Sequence, residues 1–203
     1  MKRPAFAAGL FLAALFLLAA CDDDGSTPPD PTATAEGIAP PGQTATPIAP
    51  AATETPVAFE GGRDPVDVPF GGASTTPLLA DVRTGLHQGF DRVVFEYDGG
   101  LPGYHVEYVS SPIAQCGSGM EEAVVGNAFL EVRMTPAAAH DDAGTPTFGP
   151  QELLPGLPSI LEVQSICDFE GQVTWVLGLT EQADFNVVNL TGPFRVVVDV
   201  AHP

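Results

Sequence analysis

Basic residues are scarce in this sequence of 203 residues. Seven lysines and arginines face 26 aspartates and glutamates, which gives a formal net charge of −19. The lone lysine is Lys2, and only five arginines follow Arg3 in the rest of the chain. Because phosphate contacts need clustered Lys and Arg side chains, this composition argues against nucleic acid as a partner.

Motifs for catalysis and for metal binding are also lacking. No GxSxG motif surrounds a serine, the four histidines occur singly, and there is no CxxC pair. The loop residues His140, Asp141 and Asp142 carry groups that bind metals, and Asp168 and Glu170 alternate along one predicted strand as an acid pair would. A small extracellular hydrolase using these groups stays open as an alternative. We predict a protein without catalytic residues, bound metal or cofactor.

Helical periodicity of convincing length is absent as well. Short runs rich in Val, Ile, Phe and Tyr instead lie between Gly, Pro, Asp and Asn, and this predicts an all-β sandwich or barrel of about eight strands. Apolar residues alternate in several runs, as in Val173, Trp175 and Leu177, so one side of each strand should face a core. The runs are LLADVRTG (78–85), DRVVFEYD (91–98), YHVEYVS (104–110), NAFLEVRM (127–134), ILEVQSIC (160–167), QVTWVLGL (172–179), FNVVNL (185–190) and FRVVVDV (194–200).

The start of the sequence has the organisation of an export leader. Two basic residues precede an uncharged apolar run over residues 4–20, which is typical of a signal peptide. The Leu-Ala-Ala-Cys tetrapeptide ending at Cys21 resembles the lipobox of bacterial lipoproteins, which implies cleavage before Cys21 and lipid attachment to its thiol. We therefore predict a signal peptide over 1–20 and a lipid anchor in the outer face of the cell membrane. A plain signal peptide followed by a chance cysteine is the alternative.

Residues 25–57 have the composition of a linker. Of these 33 residues, 8 are Pro, 7 are Thr and 7 are Ala, and none is aromatic. So little apolar surface cannot offset the entropy lost when a chain is ordered. Together with the Gly- and Pro-rich residues 59–76, this predicts a disordered linker over 21–75 and one folded domain over 76–203.

Cys116 and Cys167 are the two cysteines outside the leader. An even pair of cysteines in an exported domain predicts a disulfide. The bond would close a loop of about 50 residues, worth roughly 4 kcal/mol in the chain-entropy treatment. A redox-active pair and a metal site are the alternatives, and the spacing is typical of neither.

Three tyrosines, Tyr97, Tyr104 and Tyr108, are the candidate ligand-binding residues. Such rings stack on sugars and other amphipathic ligands while the hydroxyl groups form hydrogen bonds. Tyr104 and Tyr108 should share one face of their strand with Val106. The alternative for these residues, and for Trp175, is a place in the core.

The segments LADVRTGLHQGFDRVVFEYDG, PGYHVEYV and FRVVVDV together resemble the AMIN-like domain family. The resemblance covers roughly residues 76–202, and its markers are Gly89-Phe90-Asp91-Arg92, Pro102-Gly103-Tyr104 and a terminal Arg195…Asp199. It implies an exported β-sandwich, often part of a lipoprotein, that binds peptidoglycan or an envelope protein without catalysis. The same resemblance implies a location at the cell envelope.

The charge of the domain bears on its ligand. After residue 76, 4 arginines face 17 acidic residues, a difference of −13. Wall peptides and wall polymers are also anionic, so contact with uncharged glycan, a bridging cation or a protein partner would avoid repulsion. A soluble-ligand carrier with a pocket between the sheets is a further alternative.

Overall fold

The computed structural model describes residues 59–203, which form twelve β-strands. The predicted signal peptide, Cys21 and residues 22–58 of the predicted linker lie outside the described residues. Within 59–203, no helix has the length and apolar character needed to span a bilayer. The strands are β1 (Val66–Val68), β2 (Leu78–His87), β3 (Phe90–Asp98), β4 (Gly103–Val109), β5 (Ile113–Ala114), β6 (Glu121–Glu122), β7 (Ala128–Thr135), β8 (Glu152–Leu153), β9 (Ile160–Phe169), β10 (Gln172–Leu179), β11 (Phe185–Leu190) and β12 (Phe194–Ala201).

Two antiparallel sheets form a β-sandwich. The larger sheet has the order β1-β4-β7-β10-β9-β8, and the smaller has the order β11-β12-β3-β2. The hairpin β5-β6 forms a third, two-stranded sheet. The prediction of an all-β sandwich is therefore confirmed.

Alternation of apolar side chains builds the core between the sheets. In β7, Leu130, Val132 and Met134 are fully buried, while the residues between them are partly exposed. Trp175 of β10 is also fully buried and packs against Phe95 of β3 at 5.9 Å between ring centroids. These contacts join the two sheets, because β7 and β10 belong to one and β3 to the other.

A second, smaller apolar cluster lies on the other face of the larger sheet. Val176 of β10 is fully buried there, although its neighbours Trp175 and Leu177 point into the main core. Ile113 of β5 and Ile166 of β9 pack against it. The β5-β6 hairpin thus covers part of the outer face of the larger sheet, and β10 is buried on both sides.

The eight predicted strands are all present, and four additional strands accompany them. These additional strands, β1, β5, β6 and β8, contain only two or three residues each. Alternation cannot be recognised over so few residues, so the predicted number of strands was too low.

The folded part begins before residue 76, where the domain boundary was predicted. Residues 59–68, here called the N-terminal clasp, contact both sheets. Gly62 exchanges backbone hydrogen bonds of 3.1 and 2.8 Å with Phe185 of β11, and β1 pairs with β4. The prediction of disorder is wrong for this segment, because these backbone bonds order it despite its low apolar content.

Candidate functional site

The three predicted tyrosines lie on β3 and β4 and point into the sandwich. Tyr97 is 1 % exposed and donates a hydrogen bond to the sulfur of Met134, so its ring has no free surface for a ligand. Its burial raises its pKa well above the usual value. Ligand contact was the wrong expectation for Tyr97, since the residue belongs to the core.

Tyr104 and Tyr108 share the inward face of β4 with Val106, as predicted. Tyr108 donates a hydrogen bond of 2.7 Å to the carbonyl of Ala183 and accepts one of 3.0 Å from the amide of the same residue. Its hydroxyl group therefore holds β4 to the segment that leads into β11. Tyr104 is mostly buried but also lines a surface depression, described below.

The space between the sheets is filled by large side chains. Trp175, Phe95, Tyr97, Leu130 and Met134 are all 1 % exposed or less, and Phe148 packs edge-on against Trp175. This packing does not support a carrier with a pocket between the sheets.

Cys116 and Cys167 form the predicted disulfide, with their Cα atoms 5.2 Å apart. Cys116 lies just after β5, and Cys167 lies in β9. The amide of Cys116 also donates a 3.2 Å hydrogen bond to the carbonyl of Ile166. The bond therefore fixes the β5-β6 hairpin over the outer apolar cluster.

The groups considered for hydrolysis are brought together only in part. His140 Nδ1 lies 2.7 Å from Asp168 Oδ2, and this hydrogen bond is the main cause of a raised pKa for His140. Asp141 instead accepts hydrogen bonds from the amides of Ala143 and Thr145 in its own loop. Glu170 is in the turn between β9 and β10. A histidine bound to one carboxylate ties the loop to β9 and does not by itself make a hydrolytic site.

Charged side chains form a row on the outer face of the larger sheet. His105 Nδ1 is 3.0 Å from Asp67 and its Nε2 is 3.4 Å from Glu107, and the hydrogen bond to Asp67 is the main cause of its raised pKa. Arg133 contacts Glu107 and Glu131. Because the row contains three acids, Asp67, Glu107 and Glu131, and one arginine that already contacts two of them, it is not an anion-binding site. Among residues 59–203, no group of three or more His, Cys, Asp or Glu side chains is arranged to hold a metal ion.

A groove crosses one end of the sandwich, where residues 69–74 pass over the β3-β4 turn. We call it the end groove. It consists of a depression of about 470 Å³ and a smaller one of about 200 Å³, which share Val68 and Pro69 as a wall. The larger depression is lined by residues of the 68–74 segment, the 99–102 turn, Asn189 and Phe194. The smaller one is lined by Phe70 and Tyr104 and also by Asp67, His105 and Arg133.

Glycines allow the 69–74 segment to approach the strands that it crosses. A Cβ atom on Gly103 would lie 2.6 Å from the backbone nitrogen of Phe70. A Cβ atom on Gly100, which also has a φ of +151°, would lie 2.8 Å from the Cβ of Ala73. Any larger residue at these two positions would displace the segment, so the glycines are needed to form the end groove.

Residues 77–202 match the AMIN-like domain. The chain belongs to the AMIN-like family. No curated protein and no solved structure matches it significantly. Membership in this family indicates a role at the cell envelope, in binding rather than in catalysis.

In this AMIN-like domain, the first family marker, Gly89-Phe90-Asp91-Arg92, lies at the end of the sandwich opposite the end groove and connects its strands there. Asp91 is fully buried and accepts hydrogen bonds of 2.6 and 3.1 Å from the amides of Ser159 and Ile160. Its other carboxylate oxygen lies 2.8 Å from His202 Nε2. Asp91 therefore connects the start of β3 with the start of β9 and the residue after β12.

Arg92 of the first marker, Asp199 of the third and Gly103 of the second also have structural roles. Arg92 of β3 donates two hydrogen bonds, of 2.6 and 2.7 Å, to Asp199 on the neighbouring β12. Gly103, from the second marker, provides space for the segment that crosses the end of the sandwich. The end groove thus combines family residues with residues 68–74, which precede the family match. Sequence reasoning missed it because those residues had been assigned to the linker.

Proposed function

We propose that this chain is a membrane-anchored lipoprotein whose AMIN-like domain binds a cell-envelope component, either peptidoglycan or an envelope protein, without catalysis. Membership in the AMIN-like family is the observation that carries this proposal. The lipobox-like sequence ending at Cys21 supports the anchor, and the signal-peptide pattern supports export. Acylation also accounts for Cys21 as the one cysteine left over by the disulfide pair.

The anchor is tested by metabolic labelling of the full-length chain with a radioactive fatty acid. If Cys21 is acylated, the wild-type chain should carry the label. It should also sediment with membranes, because lipoprotein acylation supplies the more than one acyl chain that stable anchoring generally takes. Cys21→Ser should abolish labelling. The double variant Cys116→Ser/Cys167→Ser is the matched control, and it should remain labelled. Equal labelling of wild type and Cys21→Ser would contradict the anchor.

Envelope binding is tested by sedimentation of the full-length chain, in detergent, with purified peptidoglycan sacculi. We expect retention at low ionic strength that persists at higher salt, because salt screens the repulsion between the acidic domain and the anionic wall and leaves contacts with uncharged groups in place. Addition of a divalent cation shows whether a bridging ion is needed. Absence of retention under all these conditions would contradict the peptidoglycan form of the proposal. Cross-linking in intact cells would then test for an envelope protein.

A further inference from the structure

The larger part of the end groove has an uncharged lining in a strongly acidic domain. Its residues are glycines, prolines, small side chains, Leu101, Asn189 and Phe194, and none is Asp, Glu, Lys, Arg or His. The domain nevertheless has 17 acidic residues and 4 arginines after residue 76. The larger depression is therefore free of ionisable side chains, whereas Asp67, His105 and Arg133 line the smaller one.

This lining discriminates among classes of ligand. A polyanion would meet no lysine or arginine in the larger depression and would be repelled by the surrounding domain. A cationic peptide would find no carboxylate there to pair with. A neutral ligand with many hydroxyl or amide groups avoids both difficulties, because the exposed backbone and the Asn189 amide can supply hydrogen bonds.

Two partly exposed aromatic side chains lie along the same groove. Phe194 is 38 % exposed in the larger depression, and Phe70 is 37 % exposed in the smaller one. Aromatic rings provide flat apolar surfaces on which the apolar faces of sugar rings can pack. The volume of about 470 Å³ lies within the range of ligand sites, roughly 300–1,000 Å³.

From these observations we infer that the end groove binds an uncharged oligosaccharide, with sugar rings against Phe194 and Phe70 and with hydroxyl or acetamido groups bonded to the backbone around Gly100. The inference rests on the proposed envelope function and names its ligand class and its site. It also removes the conflict between the acidity of the domain and the anionic wall, because the contacting part of the ligand is neutral.

The test is a titration of the full-length chain, in detergent, with an uncharged tetramer of N-acetylglucosamine, followed by NMR and calorimetry. We expect the amide resonances of Gly72 and Gly100 to shift. Phe194→Ala and Phe70→Ala should each weaken binding about tenfold, since each removes one stacking surface. Phe169→Ala is the matched control, because Phe169 is 54 % exposed and does not line the groove, and it should bind as the wild type does.

An anionic oligosaccharide of the same length should bind far more weakly than the neutral tetramer. Equal binding of the two, shifts confined to residues outside the groove, or no binding of the tetramer would each overturn the inference. The NMR shifts on the wild-type chain decide this even if an alanine variant fails to fold. Retention on sacculi without binding of the tetramer would overturn the oligosaccharide site and leave the proposed envelope function standing. Binding of the tetramer without retention on sacculi would overturn only the peptidoglycan form of the proposed function.

Discussion

Asp91→Ala should lower the free energy of unfolding by about 3–5 kcal/mol. The substitution leaves the amides of Ser159 and Ile160 buried without an acceptor, and each such loss costs about 1–3 kcal/mol. It also removes the partner of His202. Urea unfolding, followed by the fluorescence of Trp175, measures the change.

Two further variants make the Asp91 result specific. Asp91→Asn keeps a side-chain oxygen as an acceptor and should lose less stability than Asp91→Ala. Asp98→Ala, at the exposed end of the same strand, should change the free energy of unfolding by about 0.5 kcal/mol or less. A loss below about 1 kcal/mol in Asp91→Ala would show that the carboxylate does not hold β3 and β9 together.

Removal of the disulfide by Cys116→Ser with Cys167→Ser should cost about 4 kcal/mol, because the bond closes a loop with a sequence separation of 51 residues. The loss should also be local, since the bond fixes the β5-β6 hairpin over Ile113, Ile166 and Val176. Hydrogen exchange should therefore accelerate most around residues 113–122. Amides of the main core, which exchange through global unfolding, should lose protection only to the extent that the free energy of unfolding falls.

Reduction of the wild-type chain provides the control for the disulfide. Mild reductant should reproduce both the loss of stability and the local exchange pattern of the double variant. If exchange instead accelerates evenly over the sandwich, the hairpin does not depend on the bond. Unchanged stability in the double variant would contradict the stabilising role of the disulfide.

The sequence was sufficient to predict the long strands because each is a run rich in β-branched, aromatic and other apolar residues between turn residues, and the side chains of several runs alternate. In β7, for example, Leu130, Val132 and Met134 alternate with Glu131 and Arg133 in the sequence and in burial. Strands such as β1 and β8 are too short for this signal, and they are ordered by backbone hydrogen bonds to longer neighbours. Those bonds depend on the three-dimensional arrangement and leave no pattern in the sequence.

The candidate site could be predicted only in part. Tyr97 and Tyr104 were candidate ligand-binding residues because they are aromatic. The identity of a residue does not determine whether its side chain faces the core or how much of its ring stays exposed. The structure buries Tyr97, and it brings Tyr104 to the wall of the end groove. Phe70 was missed because it lies in a Gly- and Pro-rich segment whose order comes from contacts with distant residues such as Gly103.

The N-terminal clasp has a mechanical consequence. Tension applied at residue 59 is opposed first by the Gly62–Phe185 backbone pair, the Arg63–Asp184 ion pair and the pairing of β1 with β4. The segment that follows directly, residues 69–74, forms one wall of the end groove. A load applied at residue 59 would therefore reach these surface bonds before it reached the strands of the packed core.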